Sequence, residues 1–402
     1  GEGHSNSRRA GWLDRSVVVA QVAIALLLVN AAGLFVATLR NLRTVNGGFA
    51  SERIVSAEFD ARGTSYESQG ILPFADRLLM RAGQVPGVRS AALALAVPGF
   101  GGRRDGRDIT VEGYTPSRDE RMEGWFDPVT PGFFRTLGIA LRHGRDFSTD
   151  DRATGQQVAI VNEAFVHQYI RDRNPLGMTI RSIDRADTTL LQVVGVVGDA
   201  RFTDVRQPPP PMIYVPLSQS GGTPVLTLAV RTIGDDGAMP GPLRNAVVDV
   251  APGLNVYGPE TIEASLDAAL NRETLTAQLA TLFGAVALIL AAIGLYGVVC
   301  YRVAQRIREI GVRMALGASR PSVVWMVLRQ ALILVTAGVV VGAPLAFAGG
   351  RLIAAELYGL AGDNRFFVIG AGVLLLGVAL AASALPARRA ARVDPLIALR
   401  AE

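Results

Sequence analysis

Apolar and polar positions divide the chain into two kinds of segment. Four runs, Val17–Leu39, Gln278–Tyr301, Val323–Gly349 and Phe366–Leu385, are continuous enough to cross a bilayer core of about 30 Å. From residue 46 to residue 267 the continuous runs stop, and alternation, turns and prolines take over. Arg53–Phe59 alternates as a strand does, and Gln69–Gln84 carries Leu72, Ala75, Leu78 and Leu79 at helical spacing. Pro86-Gly87 then turns the chain into a second apolar strand, Val88–Val97, a strand–helix–strand unit that predicts an α/β subdomain. Gly99–Arg107 is expected to be a mobile solvated loop. It is rich in glycine and arginine but has neither a P-loop nor a dinucleotide fingerprint.

Trp125–Phe147 reads as strand, turn, short helix and strand. Val158–Val161 is a short strand, with Asn162 placed to cap a helix over Glu163–Ile170. Leu190–Val197 reads as a buried strand ending at Gly198-Asp199. The stiff run Pro208–Pro211 leads into a strand over Met212–Val215. A strand at Leu226–Arg231, a helix at Leu243–Val250 and a strand at Asn255–Tyr257 close the block. The whole is an α+β region of roughly two hundred residues, a size that fits two subdomains. Thr261–Arg272 is expected to be helical and to run into the second span without a breaker.

The spans themselves are plain. Gln21 and Asn30 in the first predict contacts to a neighbouring helix, and Gly338 and Gly342 form a GxxxG pair in the third. No acidic residue lies inside a span, where an ion-coupled carrier would need one. A transporter built this way draws its energy from a partner ATPase. Arginines crowd the amino-terminal segment (1–16), the loop 302–321 and the tail (386–402). Under the positive-inside rule those three lie in the cytoplasm, and the connector 351–365 and the 46–267 domain lie outside it.

The loop 302–321 is the most structured of the three. Val303, Ile307, Ile310 and Met314 make an apolar stripe at helical spacing, and Arg302, Arg306, Glu309 and Arg313 run beside it. Gly317 ends this helix, and Ser319 and Pro321 can start the next. Two readings stand side by side: a topology anchor with snorkelling arginines, and a docking helix for a cytoplasmic partner.

Composition narrows the classes further. Half of the 402 residues are hydrophobic, and the net charge of +5 comes from arginine alone, since the chain has no lysine. That usage points to a GC-rich bacterial genome. The arginines sit beside apolar runs, so the basic balance indicates membrane topology rather than nucleic acid. Cys300 is the single cysteine, which excludes an internal disulfide and thiolate metal sites. His4, His143 and His167 are scattered, so no metal or cofactor is expected. Serine-hydrolase, zincin and P-loop signatures are missing. The pairs Asp150-Asp151 and Asp235-Asp236 read as solvated loop charge. Nothing points to an enzyme. The chain opens on Gly1, which reads as processing or as a piece of something longer.

Residues 308–318, Arg308-Glu309-Ile310-Gly311-Val312-Arg313-Met314-Ala315-Leu316-Gly317-Ala318, resemble the cytoplasmic loop of FtsX/MacB-type ABC transporter permeases. The tail from Pro386 through Arg388, Arg389, Arg392 and Pro395 is similar to the end of that domain. Val129–Phe134, Gly144–Phe147 and Val194–Asp199 resemble the MacB-like periplasmic core domain. The first span, through Val19–Ala23 and Ala31–Leu34, resembles the carboxy-terminal half of duplicated, acidobacterial orphan-type permeases. The resemblance implies a four-span domain with a large α+β extracytoplasmic insert, held in the bacterial inner membrane with both termini cytoplasmic. It implies a second permease module, the lipid membrane and an ABC ATPase subunit as partners, with room for a periplasmic adaptor. ATP would bind the ATPase subunit and not this chain. Arg308, Glu309, Gly311, Arg313 and Gly317 would form the coupling contact, with Gly311 allowing close approach and Arg388, Arg389 and Arg392 as secondary contacts. The implied mechanism is mechanical transmission driving efflux. Within the class, lipoprotein extraction or control of a cell-wall hydrolase is the alternative; outside it, a membrane-anchored sensor that needs no ATPase.

Overall fold

The structure, a computed structural model, describes residues 3–45, 47–62, 70–98, 105–118, 120–184, 187–202, 206–316, 319–352 and 365–391. The chain divides into two compact units, Gly1–Thr44 with Asn271–Glu402, and Val45–Leu270. Helix α1 (Gly3–Thr44) opens the first unit and is longer than its expected span.

The second unit runs β1 (Ile54–Asp60), α2 (Ile71–Gly83), β2 (Val88–Ala94), β3 (Gly106–Val111), β4 (Glu123–Val129), α3 (Phe133–Leu137), β5 (Leu141–Gly144) and β6 (Val158–Asn162). It continues through α4 (Glu163–Phe165) with a π turn (Val166–Ile170), β7 (Thr179–Asp184), β8 (Asp187–Val197) and β9 (Met212–Pro216). It ends with β10 (Val225–Thr232), α5 (Pro240–Val250), β11 (Asn255–Thr261) and α6 (Ile262–Ala269).

One sheet runs through the whole unit. Its order is β11-β1-β10-β2-β4-β3-β7-β8-β6-β9. The far end returns to β4, because β9 pairs with it in parallel from Trp125↔Met212 to Val129↔Pro216. The run from β4 to β9 is therefore a small closed barrel, and β11-β1-β10-β2 is an open sheet. A single backbone pair, Ala94↔Val129, joins them in the ladder. Asp127 reinforces that seam: Leu95 N–H and Ala96 N–H donate to its Oδ1 at 3.0 and 3.2 Å.

Alternation along the strands follows from the cores on either side. On the open sheet Val55, Ala57, Phe59, Leu226, Leu228 and Val230 pack under α2 and α5. Ile54, Ala92, Ala94 and Ala229 face the other way, onto Phe133, Phe134 and Leu137 of α3. In the barrel, Ala159, Val161, Ile213 and Val215 face one core, while Val158, Ile160, Met212 and Tyr214 face the α3 core. Both faces are buried, so β6 and β9 read as continuous apolar runs.

Two of the sequence motifs meet here. A Cβ on Gly144 would lie 2.2 Å from Val194 O, and one on Gly195 would lie 2.6 Å from Arg145 O. Only glycine lets these backbones cross so closely. Arg145 leaves the crossing to grip Asp151 with two bonds of 2.8 Å. Asp151 is thus a buried, paired residue and not the solvated loop charge expected of it. Asp235 does behave as a loop residue, accepting Gly237 N–H at 3.0 Å.

Other expectations change too. Gly106 and Arg107 open β3 instead of belonging to the loop, and residues 99–104 lie outside the described set. In β7 Ser182 is buried while Ile183 is 39% exposed, so the strand lacks the polarity alternation that would reveal it. The expected continuous helix over Thr261–Arg272 stops at Ala269. The amide of Leu270 bends to both Leu266 O and Asp267 O, and a new helix begins at Asn271. No glycine or proline marks the turn.

That new helix, α7 (Asn271–Gln305), is followed by α8 (Ile307–Ala315), α9 (Arg320–Leu352) and α10 (Arg365–Ala390). Among the described residues, four segments have span length and composition: Arg15–Thr44, Asn271–Gln305, Arg320–Leu352 and Arg365–Ala390. The expected connector 351–365 is described only at its ends, with Arg351 and Leu352 still in α9.

Small residues set the register of this bundle. A Cβ on Gly284 of α7 would meet Leu28 and Ala32, and one on Gly294 would meet Gln21, so α7 runs antiparallel to α1. On α9 Gly338 faces Val19 and Val22, Gly342 faces Ala23 and Leu26, and Asn30 Nδ2 reaches Ala346 O at 3.5 Å. Helix α9 therefore runs parallel to α1. Phe367, at the start of α10, sits against Gly33. The GxxxG pair, Gln21 and Asn30 thus make the helix contacts expected of them. The alternation also brings Arg15, the α7–α9 connection and the carboxyl end of α10 to one end of the bundle.

Candidate functional site

Helix α8 lies at that arginine-rich end. Sequence periodicity carried one helix from Arg302 to Leu316, but the structure breaks it at Arg306 (φ −108°, ψ 14°). Ile310 (2% exposed) anchors α8 in the bundle core that also holds Val323, Val327, Ala387 and Ala390, with Val303 and Met314 partly buried beside it.

The opposite face of α8 points to solvent. Arg308, Glu309, Val312, Arg313 and Leu316 are all exposed, and their spacing places them on one side of a helix. Val312 (40%) and Leu316 (83%) form an apolar strip along its middle. Arg308 flanks the strip on one side. On the other, Arg313 Nη2 pairs with Glu309 Oε1 at 2.7 Å, the helical i,i+4 spacing. Arg313 Nη1 also lies 3.1 Å from Met326 Sδ of α9, which steadies the ion pair.

The expected site residues divide accordingly. Arg308, Glu309 and Arg313 share the outward face. Gly311 is buried beside Ile310 and does not contribute surface, contrary to the close-approach role expected of it. It falls on the arc of the helix that faces its own bundle. Arg388 and Arg389 are exposed in the last turn of α10, at the same end of the bundle, while Ala387 and Ala390 on either side of them are buried. Gly317 and Arg392 lie outside the described residues. In the sequence this apolar strip is masked by the stronger stripe through Val303, Ile307, Ile310 and Met314. Val312 and Leu316, four apart, were the available signal.

The second unit offers an open polar recess lined by Tyr114, Tyr169, Arg171 and Arg173. Several of its polar groups are committed within the chain. Tyr114 Oη donates to Glu120 at 2.7 Å, which holds the Glu120 carboxyl below its usual range. Arg173 donates to Glu112 O at 2.7 Å and Tyr169 O at 3.2 Å. Among the described residues no cluster of three or more His, Cys, Asp or Glu could hold a metal.

These features define a class: an integral membrane protein with a large domain inserted between its first two spans and a short surface helix between its second and third. The model of the MacB-like periplasmic core domain matches residues 17–279, and that of the FtsX-like permease C-terminal region matches residues 281–395. The chain belongs to the MacB/FtsX-type ABC permease family. It is 26% identical over 299 residues to the uncharacterized ABC transporter permease YknZ of Bacillus subtilis (strain 168), covering 71% of this chain and 72% of that protein. It is 27% identical over 303 residues to the macrolide export ATP-binding/permease protein MacB of Sodalis glossinidius, covering 68% of this chain and 43% of MacB. The chain thus spans less than half the length of that MacB. The solved periplasmic region of MacB from Actinobacillus actinomycetemcomitans aligns at 16% identity with a TM-score of 0.38, covering 57% of this chain and 98% of that one. Membership makes the chain an inner-membrane protein with an extracytoplasmic domain.

Proposed function

We propose that this chain is the permease subunit of a MacB-like ABC transporter and that α8 is its coupling helix, docking a separate ABC ATPase subunit in the cytoplasm. The observation that carries this reading is the outward face of α8. Leu316, 83% exposed, and Val312 project between Arg308 and the Glu309–Arg313 pair, while Ile310 holds the helix from behind. A topology anchor needs arginines only. An exposed apolar strip with a charged rim is what a protein interface uses. Arg388 and Arg389 add secondary contacts at the same end of the bundle. A second permease module pairs with this one. ATP binding and hydrolysis below then work the extracytoplasmic domain by mechanical transmission, performing efflux.

The test is stimulation of ATP hydrolysis by a reconstituted ABC ATPase subunit, comparing wild type with Leu316→Asp and Arg308→Glu. Both variants change exposed side chains, so folding is preserved. Stimulation and copurification are expected to fall at least tenfold, because removing a central interface anchor costs about 2 kcal/mol or more. Undiminished stimulation in both variants would remove α8 as the coupling element. Gly311→Trp is unsuitable here, since Gly311 is buried and the variant would unseat the helix.

A further inference from the structure

The open recess of the second unit has a volume of about 420 Å³, within the range of small-molecule sites. One wall is the β3–β4 connection, through Gly113, Tyr114, Thr115 and Ser117, and the other is the stretch from Tyr169 to Arg173. Two guanidinium groups reach from the second wall to the first. Arg171 lies 5.6 Å over the Tyr114 ring. Arg173 packs against Gly113, where a Cβ would collide with Nη1, and donates to three carbonyls, Glu112 O, Tyr169 O and Ile170 O. Those acceptors are neutral, so they fix the guanidinium and leave its charge. Among the described residues neither arginine forms an ion pair with a carboxylate. Glu120 acts on Arg171 only at longer range, since its oxygens accept Tyr114 Oη and Ser117 N–H. The lining itself sets two guanidinium groups against one carboxylate, the exposed Asp172.

The backbone singles out the same arginine. Arg171 has φ 59° and ψ −122°, values of the first central position of a type II′ turn, where glycine is the ordinary occupant. The π turn Val166–Ile170 leads directly into it, a rare geometry that gathers at functional sites. Strain of this kind clusters at ligand clamps, where the side chain held in place is used. We propose that this recess binds a small organic phosphate outside the cytoplasm, with its phosphate between Arg171 and Arg173 and its organic part over Thr115 and Ser117. Two guanidinium forks on one anion call for more acceptor oxygens than a carboxylate has, and phosphate supplies them. The recess holds far more than a bare phosphate, which leaves room for the organic part. Binding here requires no ATPase and does not depend on the role proposed for α8.

The experiment is isothermal titration calorimetry of the detergent-purified full chain, without any partner, at low ionic strength. Glucose 6-phosphate is the probe, compared with glucose and inorganic phosphate. The expected result is one saturable site for glucose 6-phosphate, no binding of glucose, and binding of inorganic phosphate about tenfold weaker. Arg171→Gly should lose about tenfold in affinity yet melt no lower than wild type, because glycine relieves the strained backbone. An arginine kept only for structure would show no such split. Asp172→Asn should tighten binding, having removed the carboxylate from the lining. Arg89→Gln changes an exposed arginine of β2 outside the recess and should bind as wild type. Wild-type affinity in Arg171→Gly, or equal loss in Arg89→Gln, would overturn the proposal. So would the absence of saturable phosphate binding, or inorganic phosphate or glucose binding as tightly as glucose 6-phosphate.

Discussion

Asp127 is replaced by Asn, and the pH dependence of stability is compared with wild type. Asp127 lies in β4 at the seam between the open sheet and the barrel, 1% exposed. Two backbone N–H groups hold its Oδ1, but Oδ2 has no partner, and Tyr214 Oη, from the paired residue on β9, is likewise buried and unsatisfied. Burial pushes the carboxyl well above its ordinary range, outweighing the two N–H bonds that favour the anion. A raised folded-state pKa fixes the sign. The stability that the protonated group contributes is fully present below its unfolded value of about 3.9, and is lost as pH rises toward the folded value. Over that interval the loss is about 1.4 kcal/mol per pH unit. Asparagine matches the protonated acid in shape, keeps the acceptor for Leu95 and Ala96, and does not titrate. The advantage of Asp127→Asn over wild type should therefore grow by about 1.4 kcal/mol for each unit above pH 4 until the folded pKa is reached. Urea unfolding of the full chain in micelles at pH 5, 6, 7 and 8 measures it. Trp125, two residues from Asp127, serves as the probe in a Trp12→Phe/Trp325→Phe background. The difference between wild type and variant cancels the other carboxyls, including Asp146 and Asp199, also raised by burial. A difference that stays flat from pH 5 to pH 8 would refute the argument, because it would mean that Asp127 does not gain or lose a proton on folding there.

Two further outcomes follow from packing and hydrogen bonding. Gly342→Ala places a Cβ 2.9 Å from Ala23 Cα and 3.0 Å from Ala23 O, both backbone, so α1 and α9 must separate. It should destabilise the bundle by about 1–3 kcal/mol, while Gly377→Ala, with nothing within 4 Å, is neutral in the same melting assay. Asn162→Ala removes the cap on Phe165 N–H (3.0 Å), the bond from Met212 N–H (2.8 Å) and the bond to Pro210 O (2.9 Å). A loss of about 3 kcal/mol is expected in urea titrations, since buried partners are left unmatched.

Much of this was legible in the chain because the relevant forces are local. The spans show as continuous apolar runs, since each must satisfy its surroundings along its own length. The Asn162 cap was readable because Oδ1 meets an amide three residues on. Gly338 and Gly342 announced close packing, although not that α1 was the partner. Strands β3 and β7 were not legible. Each has one sheet neighbour far along the chain, since β3 and β7 pair with one another, and in β7 the buried Ser182 and exposed Ile183 reverse the expected polarity. Asp151 looked like a loop acid because its ion pair with Arg145 depends on the backbone crossing at Gly144 and Gly195.

The sequence by itself determined the number of spans, the α+β character of the insert and the arginine-rich sides, all set by composition over short windows. The tertiary structure decided three things that windows cannot carry. The barrel closes because β9 returns to β4, a pairing between segments more than eighty residues apart. Asp127 becomes a buried acid because two strands and a loop enclose it. Helix α8 turns Val312 and Leu316 outward because Ile310 finds its place in a core built from α7, α9 and α10. In each case burial depends on what the rest of the chain brings alongside, and that is a property of the fold rather than of the residue.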